Sequence, residues 1–309
     1  MDICSIAQTL RQIGADEVFC AEQSGSCMAV LRGGAPGKTL LLVAEPNCGA
    51  DALLLDAANR LSKQKPRMHG TVKLLFGEIF PDETILADAD AAFCLHPSNA
   101  LEQRTCNFEA GPRMACADHF TLHVNGQASH ASAPQGGHDA IVAAAAVVMA
   151  LQSLVSRAHD PRSPLAVTVG TLNGGQKVNI LAPSAVLSGM AHTFDPALRA
   201  ELPLRIQKAT EAAAAVYGCT VDCDYSFGSA PVYNTCDALL ALAQKTAQEQ
   251  LGMDCLRPLS PLMQASPLGS LAEKIPAVYG FLGTHGTTGE SHGAALYETF
   301  ALSFLGEHS

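Results

Sequence analysis

The apolar residues of this 309-residue chain change their rhythm near Pro112, and that change limits the possible folds more than any other feature. Upstream, residues 39–43 read Thr-Leu-Leu-Leu-Val, a continuous apolar run between Pro36-Gly37 and Pro46, which suits a parallel strand buried on both faces. Downstream, residues 119–124 alternate. Phe120, Leu122 and Val124 point one way while His119, Thr121 and His123 point the other, as in an antiparallel strand with one solvated face. At this length, with 48% hydrophobic residues, two domains are expected.

The spacing of Leu53, Leu54, Ala57, Ala58 and Leu61 predicts a helix over 51–64, with Asp51 as its cap and Lys63 and Lys65 near its end. Strands at 71–76 and 91–95 complete βαβ-type units. After Pro112 come the strand 119–124, an Ala- and Val-rich helix over 139–156, strands at 165–171 and 185–193, and a helix opened by Asp195-Pro196 that runs to Tyr217 and stops at Gly218. Pro203 inside that helix predicts a kink or a later start, because an interior proline costs about 3 kcal/mol. A strand at 220–227 closes a β-α-β-β-α-β unit, the ferredoxin-like order. A helix at 237–251 and a strand at 277–282 then rejoin the first sheet.

The expected fold is therefore α/β: a mixed-sheet domain with helices on both faces, formed by residues 1–111 and 229–309, with an α+β module inserted at 112–228. Gly111-Pro112 and Gly228-Ser-Ala-Pro231 mark the linkers.

A net charge of -10 and a pI near 5.5 argue against nucleic acid or an anionic membrane surface as a partner and leave small ligands open. The N-terminal stretch lacks a basic region before an apolar core, and no uninterrupted apolar run reaches the roughly 18 residues of a membrane span. Eleven cysteines, an odd number at irregular spacing in a large chain, read as reduced thiols. A soluble cytoplasmic protein is expected.

Residues 126–141, Gly-Gln-Ala-Ser-His-Ala-Ser-Ala-Pro-Gln-Gly-Gly-His-Asp-Ala-Ile, end a strand, present His130 on a loop of small residues and launch a helix. Other local motifs are Asn47-Cys-Gly-Ala50, Gly70-Thr-Val-Lys-Leu-Leu-Phe76, Asp90-Ala-Ala-Phe-Cys-Leu-His96, Lys177-Val-Asn-Ile-Leu-Ala-Pro183, Thr193-Phe-Asp-Pro196 and His292. In this order the chain resembles the M20 metallopeptidase and amidohydrolase family, in particular its aminoacylase, hippurate-hydrolase and auxin-conjugate-hydrolase branch.

The resemblance implies metal-dependent hydrolysis of an N-acyl amino acid or small peptide amide, with divalent zinc or manganese, and a homodimer formed through the inserted lid. It carries the metal ligands onto Cys48, His96 and His292. It carries substrate contact and oxyanion stabilisation onto His130, substrate contact onto Asn179, and a substrate-facing position onto His192, where the family has arginine. The family's glutamate pair falls in Phe76-Gly-Glu-Ile-Phe-Pro-Asp-Glu83, which makes Glu83 or Glu78 the group that assists water. The family's Cys-Gly-His-Asp-Gly-His motif reads Cys48-Gly-Ala-Asp-Ala-Leu53 here, so Ala50 and Leu53 stand where two histidines are expected.

Read without the resemblance, Cys48 is either an apolar filler or a thiolate at a helix N-terminus, His96 and His292 are satisfied structural histidines, and Asp82 with Glu83 form a solvated turn. Three functions follow: an amidohydrolase with a reduced metal site, an inactive relative that binds or regulates through a small ligand, and a purely structural partner subunit.

Overall fold

The computed structural model describes residues 2–46, 48–77, 88–285 and 292–306, apart from the Glu22 side chain. The first elements are α1 (Ile3–Gln12), β1 (Glu17–Ala21), β2 (Ser26–Arg32), β3 (Ala35–Ala44), α2 (Ala50–Gln64), β4 (His69–Gly77) and β5 (Ala91–Glu102). Next come β6 (Cys106–Asn107), β7 (Gly111–Met114), β8 (Ala117–Asn125), α3 (Ala140–Arg157), β9 (Leu165–Gly174), β10 (Ser184–Thr193), α4 (Pro196–Ala215) and β11 (Thr220–Ser229). Last are β12 (Val232–Asn234), α5 (Asp237–Leu251), α6 (Leu268–Ala272), β13 (Ala277–His285) and α7 (His292–Gly306). They divide into two compact units. One comprises Met1–Arg113, Val232–Pro261 and Pro267–Ser309; the other comprises Met114–Pro231 with Leu262–Ser266.

The first unit is built on a seven-stranded mixed sheet in the order β1-β2-β4-β3-β5-β13-β6. Strands β4, β3, β5 and β13 run parallel, and β1, β2 and β6 add antiparallel edges. Leu40, Leu42 and Ala44 face a core shared with α1, α2, α5 and α7, while Leu41 and Val43 on the opposite face are buried as well. Burial on both faces is why this strand reads as an unbroken apolar run. Helix α2 starts at Ala50. Gly49, at φ 86, occupies the cap, and Asp51 sits inside the first turn rather than capping it.

Gly280 of β13 is needed for close packing, since a Cβ there would lie 2.0 Å from the Phe108 ring. Phe108 in turn stacks on Phe93 at 6.0 Å. Gly280→Ala is expected to cost about 1–3 kcal/mol by overpacking, read as a lowered urea midpoint with an unchanged m-value.

The second unit folds as β8-α3-β9-β10-α4-β11 into an antiparallel sheet ordered β11-β8-β10-β9. Phe120, Leu122 and Val124 of β8 meet Ala140, Ala143, Ala144, Val147 and Leu151 of α3 and Leu198, Leu202 and Ile206 of α4 in one core. By length and composition α3 could cross a membrane, yet its inner stripe packs in this core. Helix α4 rules out the later start that Pro203 had left open, because it runs from Pro196 to Ala215 with the proline inside it. Its start is fixed by the Asp195 carboxylate, which accepts from the Ala197 and Leu198 N–H groups. Buried Leu198, Leu202 and Ile206 span the proline, so packing outweighs its local cost.

Candidate metal centre

The first unit brings chemistry together at the carboxyl ends of its parallel strands, where open α/β sheets place their ligands. Glu45 follows the end of β3, Cys48 lies in the turn before α2, and His96 projects from β5, the strand beside β3. One donor atom from each of these three residues lies within 4.8 Å of the others, the one such group of three or more among the described residues. Cys48 and His96 were expected here from the sequence; Glu45 was not.

The carboxylate of Glu45 is 5% exposed. Its Oε2 accepts from the Tyr279 hydroxyl at 2.6 Å and pairs with His96 Nδ1 at 2.6 Å. Because that ring nitrogen faces a carboxylate oxygen it carries the proton, and the lone pair of the neutral ring sits on Nε2. Glu45 Oε1 is buried and has no hydrogen-bond partner among the described residues. Tyr279 is locked in turn: its N–H donates to Asn234 Oδ1 at 2.7 Å, and Asn234 Nδ2 donates back to the Tyr279 carbonyl at 2.9 Å.

Thiolate, imidazole and carboxylate donors suit a zinc-like ion, and three protein ligands leave a fourth position for water or substrate. An orphaned buried carboxylate oxygen beside a thiol and an imidazole fits a bound cation, since buried charge is ordinarily paired or coordinated.

Burial is the main cause that pushes the Cys48 thiol up from its ordinary 9.0 to about 11, and the Glu45 and Asp51 carboxylates push the same way against the Ala50 N–H. The metal-free thiol is therefore protonated at neutral pH. The folded thiol holds its proton more tightly than the unfolded one, so its contribution to metal-free stability is present below 9.0 and lost as pH rises toward about 11. Metal uptake at pH 7.5 should release about one proton, measurable by calorimetry in buffers of different ionisation enthalpy.

None of the other expected residues that are described belongs to this group. His292 is half-buried at the start of α7 and is not a member of the group. Glu78 and Glu83 lie outside the described residues. Ala50 is fully buried and Leu53 is 8% exposed, both within the apolar core, so the two positions that lack histidine are filled by packing.

In the second unit, His130 and Asn179 lie on paired segments. The Ala131 N–H donates to the Asn179 carbonyl at 3.0 Å and the Leu181 N–H to the Ser129 carbonyl at 2.8 Å. His130 Nδ1 accepts from the Ser132 N–H at 3.2 Å, which puts the proton of the exposed ring on Nε2. His192, on β10, donates its Nδ1–H to the Cys116 carbonyl at 2.8 Å, so its neutral Nε2 is an acceptor.

Residues 117–215 match the M20 peptidase dimerisation domain. The chain is 29% identical over 270 residues to N-acetyl-L-cysteine deacetylase of Bacillus subtilis, covering 82% of this chain and 64% of that protein. It is 28% identical over 251 residues to IAA-amino acid hydrolase ILR1-like 4 of Arabidopsis thaliana, covering 76% and 57%. The chain thus spans about three fifths of the length of these relatives. Among solved structures, a putative aminohydrolase from methicillin-resistant Staphylococcus aureus superposes with a TM-score of 0.81 at 21% identity, over 99% of this chain and 91% of that one. The YXEP protein of Bacillus subtilis, described as a dinuclear metal-binding peptidase of the M20 family, superposes at 0.75 and 20% identity over 98% and 92%. A mixed sheet whose chain leaves to build a ferredoxin-like module and then returns, together with these matches, makes this chain similar in sequence and in fold to the M20 family of metallopeptidases and amidohydrolases.

Proposed function

We propose that the chain is a metal-dependent amidohydrolase that cleaves an N-acyl amino acid or small peptide amide, with its ion held at the Cys48 and His96 cluster. The observation that carries this reading is the convergence of thiol, imidazole and an orphaned buried carboxylate at the carboxyl edge of the sheet. A bound divalent cation would supply polarisation of the amide carbonyl and a water of lowered pKa.

The protein's own groups have separate tasks. Glu83 or Glu78 accepts the proton from the attacking water. His130, protonated on Nε2, donates a hydrogen bond to the oxyanion that develops on the carbonyl oxygen, a contribution typically worth about 3–4 kcal/mol. Asn179 and His192 contact the substrate, His192 as an acceptor where the family has an arginine fork. The relatives' printed activities, deacetylation of N-acetyl-L-cysteine and hydrolysis of IAA-amino acids, support an acyl amino acid as the substrate class.

A homodimer through the second unit is part of this reading. It is supported by the match to a dimerisation domain, by the unpaired outer edge of β9 and by exposed Ile141, Val142 and Met149 on α3. Eleven free thiols support a reducing, cytoplasmic setting.

The test is hydrolysis of a panel of N-acetyl amino acids by protein loaded with zinc or manganese. Chelator-sensitive release of the free amino acid is expected, and metal-loaded protein without turnover on any panel member would remove the proposal. A second reading, an inactive relative that binds a small ligand, is favoured by Ala50 and Leu53 filling the apolar core. It requires ligand-induced stabilisation without turnover in the same panel.

A further inference from the structure

We infer that Glu45 is a metal ligand in its own right, the third protein donor of a mononuclear Glu45, Cys48 and His96 centre, and that Tyr279 is the residue that positions it. The inference deepens the reading above and rests on Cys48 and His96 holding an ion.

The two carboxylate oxygens of Glu45 have different surroundings. Oε2 is saturated on the protein side, with the Tyr279 hydroxyl and His96 Nδ1 both at 2.6 Å. Oε1 is enclosed, without a donor, in a side chain 5% exposed. A carboxylate whose only task was to orient His96 would use Oε2 in this way and leave Oε1 to water or to a second donor. Burying that oxygen with nothing to pair it is costly unless a cation completes the site.

The chain geometry agrees. Glu45 and Cys48 are three residues apart after the end of β3, and the Cys48 thiol donates to the Glu45 carbonyl at 3.3 Å. His96 arrives from the adjacent strand. Ala50 is fully buried and cannot donate an electron pair, which leaves a vacancy in the donor count that the Glu45 carboxylate fills from the other side of Cys48.

Tyr279 acts through Glu45. Its side chain is buried, and its hydroxyl donates to Glu45 Oε2 at 2.6 Å. Its backbone is held by the reciprocal Asn234 pair, which fixes the strand position from which the hydroxyl reaches Glu45. Outer partners of this kind typically tune metal affinity by about 10–100-fold.

The experiment is a cobalt(II) titration of the purified full chain, followed by optical absorption and by metal analysis after desalting. Wild type should bind one cobalt ion, with a thiolate-to-cobalt charge-transfer band from Cys48 and intense d–d bands from a four-coordinate ion. Glu45→Gln keeps the shape and removes the charge. It should lose more than about 100-fold in affinity, beyond the range of an outer partner, and any residual complex should show altered d–d bands. Glu45→His, which restores a donor, should recover binding with a shifted spectrum. Tyr279→Phe should weaken binding by about 10–100-fold with the spectrum unchanged.

If Glu45→Gln binds cobalt with the wild-type spectrum and loses no more than Tyr279→Phe, Glu45 is an orienting group and the inference is wrong, while the hydrolase reading stands. Wild-type protein that binds no cobalt overturns both. Wild-type protein that binds cobalt as described but hydrolyses no amide overturns the hydrolase reading alone.

Discussion

Arg199→Ala should lower the stability of the second unit by about 3–5 kcal/mol, the largest effect expected of a single charge removed from this chain. Asp118 is fully buried on the inward face of β8, between apolar neighbours, and Arg199 of α4 reaches it with Nε at 3.0–3.1 Å and Nη2 at 2.8 Å. The same guanidinium donates to the Gly228 carbonyl at 2.9 Å and lies over the Phe227 ring at 5.2 Å. Without it, Asp118 keeps neutral donors such as the Tyr225 hydroxyl and the Gly228 N–H, each at 3.0 Å, and loses its charged partner. Neutral donors do not offset a buried anion, so the cost is that of an unpaired charge rather than of one lost contact. Urea denaturation monitored in the second unit reads it directly. A loss below about 1 kcal/mol would mean the pair behaves as an exposed one and that water reaches Asp118. Asp118→Asn combined with Arg199→Ala should recover part of the loss, since the stranded charge is then gone.

His96→Ala should abolish stoichiometric zinc binding and, under the proposed function, reduce amide hydrolysis by about a thousandfold or more, equivalent to about 4 kcal/mol of transition-state stabilisation. The imidazole is one of three donors, and it also pairs with Glu45 Oε2, so alanine removes a ligand and loosens the carboxylate together. The fold should survive, because His96 is 16% exposed in its side chain at the rim of the sheet rather than in its core. Near-wild-type circular dichroism with no bound metal is the expected pair of measurements. Full zinc occupancy in His96→Ala would place the ion elsewhere.

Much of the architecture was legible because it is written in local periodicity. The unbroken run at 39–43 signalled a strand buried on both faces, and the alternation of Phe120, Leu122 and Val124 against His119, Thr121 and His123 signalled one solvated face. Pro203 left the start of its helix open for the opposite reason. Its cost is local, whereas the burial of Leu198, Leu202 and Ile206 that overrides it depends on a sheet assembled from distant strands. Asp51 misled, since the left-handed Gly49 takes the cap and leaves the aspartate in the first turn.

At the site, Cys48 and His96 were recognisable by motif, but Glu45 belongs to none of the motifs. A glutamate just past the end of a buried parallel strand and three residues before a motif cysteine is the signal that would have found it. Tyr279 had no signal, for its partner Glu45 is 234 residues away.

The sequence by itself determined the two kinds of sheet, the inserted module and the family resemblance, because periodicity, linkers and motif order are properties of neighbouring residues. The tertiary structure alone decided which donors meet and which charges are buried. Glu45 faces His96 and Tyr279 because β3, β5 and β13 lie side by side in that order, and Asp118 needs Arg199 because α4 packs across β8. Strand order and register bring together groups that are tens to hundreds of residues apart, and in a buried setting the pairing of those groups sets the energy.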